Sequence, residues 1–246
     1  MSRKIIADLG NTRIKWTELG ANEEQGNIAY HEVADSQTLF SIWRKMPFDT
    51  LIYSNVSSIS EEEIRKILPD KKLIEITGRT PSALKMGYKS PDTLGSDRYL
   101  GALGAYAEFK GRDILLVDFG TCIKYEKIDA EGTYLGGAIS PGIEMRFKAM
   151  HTFTGKLPLF QHQKPKFPLT PIGQNTEESM YTGVFQGILG EIKQFIHMNQ
   201  QAEREMCVIF SGGFAEDFAV YLENHIFVRP NIVLSGLQHI VRYNNY

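Results

Sequence analysis

Apolar positions along the chain switch repeatedly between a period of two and a period near 3.6, the pattern of strands alternating with helices. Lys4 to Asp8 reads as a strand that stops at a glycine turn, and Arg13 to Leu19 as the strand returning from it. Asn27 to Val33 adds a third strand, Gln37 to Met46 a helix ended by Pro47, and Thr50 to Ser54 a buried strand. Glu61 to Leu68 has helical spacing, with Ser60 ahead of three acidic residues that complement the dipole of a first turn. Lys72 to Ile76 closes this first cycle as a short strand.

A second cycle follows. Tyr99, Leu100, Leu103 and Ala107 fall at helical spacing within Asp97 to Phe109. Ile114 to Asp118 is an unbroken apolar run ending in an aspartate, as a central strand buried on both faces would be. Ile123 to Ile128 and Thr133 to Ile139 continue as an antiparallel group, and Met145 to His151 as a helix. Phe153 to Pro171 holds four of the ten prolines and is expected to be irregular. Glu177 to Gln200 predicts a long helix and Cys207 to Phe210 a last buried strand. Two more helices are expected around Glu216 to Leu222 and Leu234 to Tyr243. The alternation places the chain in the α/β class.

Asp8-Leu9-Gly10-Asn11-Thr12 ends the first strand, and Asp118-Phe119-Gly120-Thr121-Cys122 ends the strand that opens the second cycle, 110 residues later. Two similar aspartate–glycine turns, each after an apolar strand, fit a duplicated lobe contributing one turn apiece to a shared cleft. Chance is the competing account, because such turns are short and common.

Composition narrows the classes. With 246 residues the chain is long enough for one large domain or two small lobes, and a formal net charge of −2 leaves no basic footprint for nucleic acid. Two distant cysteines, Cys122 and Cys207, suit neither a disulfide framework nor a zinc site, and read as small apolar residues in a reducing compartment. The segment MSRKIIADLG reads as a strand and not a signal peptide, and no apolar run is long enough for a bilayer. A cytoplasmic protein without membrane contact is expected. The six histidines show no metal-ligand spacing.

The turns carry the candidate chemistry. Glycine lets backbone amides approach a phosphate, and Asn11, Thr12 and Thr121 add side-chain donors. An aspartate beside phosphate makes sense when a cation lies between them, usually Mg²⁺ held through water. Arg13 and Lys15 alternate with Ile14 and Trp16, so both project to one face and could meet a transferring phosphoryl group; solvated hairpin residues are the plain alternative. Leu94-Gly95-Ser96-Asp97-Arg98 opens a helix. Asp97 or Ser96 would serve there as a cap, or Asp97 as a general base beside Arg98. Gly136 to Gly142 is glycine-rich but lacks the spacing of a P-loop or dinucleotide fingerprint. Ser211-Gly212-Gly213 after the last strand would admit an adenine or ribose.

Taken in order, DLGNTRIKW, TLGSDRYLGA, VDFGTC, YLGGAISPGI, NTEESMYTG and VIFSGGFAE resemble the type III pantothenate kinase family over Asp8 to Glu216, nearly the whole chain. The resemblance implies the actin-like ATPase fold of the acetate and sugar kinase, heat-shock protein and actin superfamily. It would have two ribonuclease-H-like lobes, residues 1–110 and 111–246, and a nucleotide cleft between them. It implies ATP-dependent phosphorylation of pantothenate, the first step of coenzyme A synthesis. Asp97 would be the base, with Arg98 beside it. Asp8, Leu9, Gly10, Asn11, Thr12, Arg13 and Lys15 would hold the ATP phosphates, with Asp8 near Mg²⁺. Thr121, Gly212 and Gly213 would also contact ATP. Tyr88, Gly95, Ser96, Asp97, Arg98 and Thr176 match pantothenate-binding positions, and Asp118 would bind a monovalent cation, K⁺ or NH₄⁺. A homodimer with substrate sites completed across its interface is implied as well.

The chain departs from the family pattern just after Asp118, with Cys122, Lys124 and Glu126 where alanine, threonine and aspartate are usual. Lys124 either turns its ammonium inward, taking the place of the monovalent cation, or points to solvent as charged strand residues ordinarily do. Two other readings stand beside pantothenate kinase. One is a kinase of another small hydroxyl substrate in the same superfamily, and the other a nucleotide-binding regulator. Tyr88 and Thr176 speak for pantothenate, and Asp8, Asp97, Arg98 and Asp118 together speak for catalysis.

Overall fold

The computed structural model describes residues 3–20, 22–160, 171–200, 205–222 and 225–246. In chain order the elements are β1 (Lys4–Leu9), β2 (Arg13–Leu19), β3 (Ala29–Glu32), α1 (Ser36–Lys45), β4 (Thr50–Asn55), α2 (Glu61–Ile67), β5 (Lys72–Glu75), β6 (Lys85–Met86) and α3 (Ser96–Glu108). They continue with β7 (Asp113–Phe119), β8 (Cys122–Ile128), β9 (Thr133–Pro141), α4 (Ile143–Phe153), α5 (Thr176–Asn199), β10 (Met206–Gly212), α6 (Ala215–Ala219), β11 (Ile226–Val228) and α7 (Ile232–Asn244). Two compact units emerge. One comprises 1–112, 127–136 and 231–246, the other 113–126 and 137–230. Each is therefore assembled from separate stretches of chain, where the sequence suggested a single boundary at 110.

In the first unit a five-stranded sheet runs β3-β2-β1-β4-β5. β1 lies at its centre, antiparallel to β2 and parallel to β4, and every residue from Ile5 to Leu9 is buried. Ile5, Ala7 and Leu9 face a core shared with Leu39, Phe40 and Trp43 of α1 and with Leu51 and Tyr53 of β4. Strand alternation turns Asp8 to the other face, and the register sets it opposite Lys15 on β2 and Ser54 on β4. The expected first turn of α2 is present as a complete capping box. Ser60 Oγ accepts the Glu63 N–H, and the Glu63 carboxylate accepts the Ser60 N–H. Helices α3 and α7 pack backbone to backbone: a Cβ on Gly104 would stand 2.3 Å from the Ile232 carbonyl, and one on Gly236 2.0 Å from that of Leu100.

In the second sheet the order is β11-β10-β7-β8-β9-β6, with β7 parallel to β10 and β10 parallel to β11. Leu115, Val117 and Phe119 of β7, Ile123 and Tyr125 of β8, and Val208 and Phe210 of β10 join a core with α4, α5 and α6. β6 and β11 were not legible in the pattern; at two and three residues each is too short to establish a period. Helix α6 ends at Ala219, earlier than the apolar spacing suggested. Of the proline-rich stretch Phe153 to Pro171, residues 161–170 lie outside the described residues.

Candidate active site

The first unit brings the DLGNT turn and the helix-opening LGSDR segment together through the strand ends. Ser54 Oγ donates to Asp8 Oδ1 at 2.6 Å, and the Val56 N–H donates to the Leu9 carbonyl at 3.0 Å. The next residue in β4 completes the link, since the Asn55 N–H donates to Ser96 Oγ at 3.2 Å. Asp8 is buried at the floor of this group, whereas Asn11, Thr12 and Arg13 are exposed. The turn is closed by the Gly10 N–H on the Arg13 carbonyl at 3.1 Å, and Arg13 pairs with Glu32 across the sheet at 3.3 Å. Lys15 is half-buried beside Asp8 in register.

Asp97 is not a helix cap, and neither is Ser96. The N-cap of α3 is Gly95, which has no side chain to offer, and Ser96 directs its hydroxyl to the end of β4. Asp97 is the second helical residue, half-buried, with Oδ1 accepting the Arg98 N–H at 2.8 Å. A Cβ on Gly95 would stand 2.7 Å from that same Oδ1, so the absence of a side chain there sets where the carboxylate can lie. Arg98 is 9% exposed, with its guanidinium 5.7 Å from the centre of the Tyr88 ring, within cation–π range. Tyr88 in turn packs on Tyr134 with ring centres 5.8 Å apart. Tyr88, Gly95, Ser96, Asp97 and Arg98 thus form one neighbourhood with Asp8.

In the second unit the DFGTC turn follows β7. Phe119 is anchored in the core, stacked on Phe218 at 5.1 Å, while Gly120 and Thr121 are exposed. Gly212 comes so close to this turn that a Cβ would stand 2.3 Å from the Phe119 carbonyl, and its φ of +88° is in the left-handed region. The Gly213 N–H then donates to that carbonyl at 3.1 Å. Lys124 Nζ lies 2.7 Å from Asp118 Oδ2, which rules out the solvent-pointing alternative for this lysine. Thr176 is the exposed first residue of α5, after an Asn175 cap whose side chain accepts the Glu178 N–H.

These are aspartate–glycine turns at the ends of parallel central strands, plus a carboxylate–arginine pair opening a helix, in the order the family resemblance requires. The model of the type III pantothenate kinase family matches residues 4–198. The chain belongs to that family. The kinase is 35% identical over 246 residues to the type III pantothenate kinase of Porphyromonas gingivalis, covering 99% of this chain and 100% of the relative. It is 35% identical over 243 residues to that of Bacteroides fragilis, covering 98% of each. Among solved structures, it is similar to a Campylobacter jejuni protein assigned to the Baf family of transcriptional activators. That match has a TM-score of 0.67 at 20% identity and covers 98% of each chain. The activator of 2-hydroxyisocaproyl-CoA dehydratase from Clostridium difficile, solved with bound ADPNP, gives 0.53 at 12% identity and covers 99% of this chain and 94% of that one. At these identities the structures speak for the fold, which is that of the actin-like ATPases and sugar kinases.

Sequence reasoning missed Ser54, the donor to Asp8, whose only signal was a polar residue ending an apolar strand. It also missed a polar group in the second unit. Glu191 of α5 accepts hydrogen bonds from Tyr125 Oη at 2.7 Å, from Ser140 Oγ, and from Arg146 at 2.6 Å. Burial pushes the Glu191 carboxyl up, but the hydrogen bonds from Ser140, Arg146 and Tyr125, with the Arg146 charge, outweigh it and hold the group below the usual range. The Tyr125 hydroxyl is pushed far up by burial and by the Glu191 carboxylate it donates to.

Proposed function

We propose that Asp97 is the general base with which this kinase phosphorylates the primary hydroxyl of pantothenate. The observation that carries the reading is the place of Asp97. It is a half-buried carboxylate in the first turn of α3, one position past Ser96 with Gly95 at the N-cap, beside a buried arginine. Ser96 ties this turn to Asn55 at the end of β4, next to the Ser54 that donates to Asp8. In the step, the pantothenate hydroxyl gives its proton to Asp97 and its oxygen bonds to the γ-phosphorus of ATP. The bond from γ-phosphorus to the β–γ bridging oxygen breaks, and ADP leaves with that electron pair. Charge spreads over the γ-phosphate oxygens, so positioning and fixed positive charge do most of the work. Arg98 would supply that charge or orient the substrate, held in place by Tyr88.

Asp8 to Arg13 and Lys15 would form the phosphate site, with Thr121, Gly212 and Gly213 as further ATP contacts. Thr176, Tyr88 and Gly95 to Arg98 would bind pantothenate. Among the described residues no three His, Cys, Asp or Glu side chains gather to hold a metal. Asp8 alone suits Mg²⁺ that arrives on ATP and keeps most of its water. Bound there, Mg²⁺ would neutralise phosphate charge.

A cytoplasmic homodimer completes the reading. Both cysteines are free thiols, as a reducing compartment keeps them, and no described helix is long and apolar enough to cross a membrane. Ile139, 58% exposed on β9, gives self-association an apolar side chain to cover.

The test is ADP release from the purified protein with ATP and Mg²⁺, with and without pantothenate. Pantothenate-dependent turnover that falls roughly 10²–10⁴-fold in Asp97→Asn, with the fold intact, is the expected result. Near-normal turnover in that variant would remove Asp97 from the chemistry. Turnover with a different hydroxyl substrate, and none with pantothenate, would reassign the acceptor.

A further inference from the structure

The family resemblance implies a monovalent cation at Asp118, and the residues present do not fit one. Lys124 Nζ already lies 2.7 Å from Asp118 Oδ2, and both side chains are well buried, 14% and 15% exposed. Alternation along β8 explains why. Ile123 and Tyr125 point into the core with α4 and α5, so Cys122, Lys124 and Glu126 share the opposite face. Asp118 also stands opposite to its core-facing neighbours Val117 and Phe119. The ammonium reaches the turn itself, where a Cβ on Gly120 would stand 4.0 Å from Nζ. A second cation on Asp118 would have to displace the ammonium and then sit beside it, two like charges in a site with little water to screen them.

We infer that the ammonium of Lys124 is a built-in monovalent cation, so that nucleotide binding and turnover need no K⁺ or NH₄⁺. The chemistry is conservative. A primary ammonium carries one charge, binds oxygen ligands and differs from NH₄⁺ in having a tether. An anionic phosphate near the Asp118 carboxylate needs a positive charge beside that carboxylate, and Lys124 supplies it permanently. The inference rests on reading the Asp118 to Thr121 turn as part of the nucleotide site.

Two readouts test it. Affinity for Mg²⁺-ATP is measured by calorimetry, and pantothenate-dependent ADP release by kinetics, each in KCl and in tetramethylammonium chloride at equal ionic strength. The wild-type protein is expected to give the same affinity and turnover in both salts. Lys124→Thr and Lys124→Met should lose affinity by roughly thirtyfold or more in tetramethylammonium, the scale of truncating one partner of a buried charge pair, and Lys124→Thr should recover in K⁺. A K⁺ requirement in the wild-type protein would overturn the inference. So would folded Lys124 variants that bind Mg²⁺-ATP normally without K⁺. Should the variants fail to fold, the wild-type comparison still decides. Absence of turnover with pantothenate in every salt, with the predicted ATP binding intact, would count against the kinase reading and not against Lys124.

Discussion

The hydroxyl of Ser54 donates a 2.6 Å hydrogen bond to Oδ1 of Asp8, joining the ends of two parallel central strands at the carboxylate proposed for the phosphate site. Ser54 is fully buried, so the bond forms away from water. Hydrogen bonds to charged groups are worth about 1.5–3 kcal/mol, and Ser54→Ala should lower stability by that amount in urea unfolding. If Asp8 serves ATP, the variant should also raise the KM for Mg²⁺-ATP more than that for pantothenate. An equal effect on both would make Ser54 purely structural.

Gly95 tests the placement of the proposed base. Replacing it with serine adds a Cβ that would stand 2.7 Å from Asp97 Oδ1, so the carboxylate must turn away. Serine is also a better N-cap than glycine, so α3 should not weaken. A displaced reacting group can cost about 10²-fold in rate. The expected outcome is a kcat lowered by about that factor at an unchanged melting temperature. Unaltered kcat would show that the position of Asp97 does not matter.

Glu191 should govern the acid limb of the stability profile. Its folded carboxyl titrates below its unfolded value, so the unfolded chain binds the proton first as pH falls. The stability it adds is fully present above the ordinary glutamate pKa of about 4.3 and lost as pH falls through the lower folded value. Glu191→Gln should destabilise by about 1–3 kcal/mol at neutral pH and flatten the profile in that acid window. A parallel offset at all pH values would contradict this.

His239, on α7, acts in a higher window. Burial depresses its pKa, and the nearby Arg242 charge adds to the effect, so the folded protein prefers the neutral ring. Stability from this group is present above the unfolded value of about 6.5 and declines as pH falls from there to the folded value. Urea midpoints between pH 7.5 and pH 5.5 should fall in the wild-type protein and fall less in His239→Gln. Equal slopes would show that His239 does not contribute.

Much of the fold was legible because its signals are local. The continuous apolar runs of β1 and β7 announced central strands, Ser60 with Glu63 announced a helix start, and the aspartate–glycine turns with LGSDR carried the family by their order. Position along the chain is all that such signals require. Partnership is another matter. Asp97 looked like a cap, but α3 begins at Ser96 with Gly95 at its N-cap, two residues before Asp97. Ser54 meets Asp8 across 46 residues, and Glu191 meets Tyr125 across 66, through register and helix packing that no local pattern encodes. Lys124 is the sharpest case. The sequence placed a charged residue on a strand and left both faces open to it. Only the burial of Ile123 and Tyr125 in the core fixed which way it points, because alternate side chains on a strand must take opposite faces.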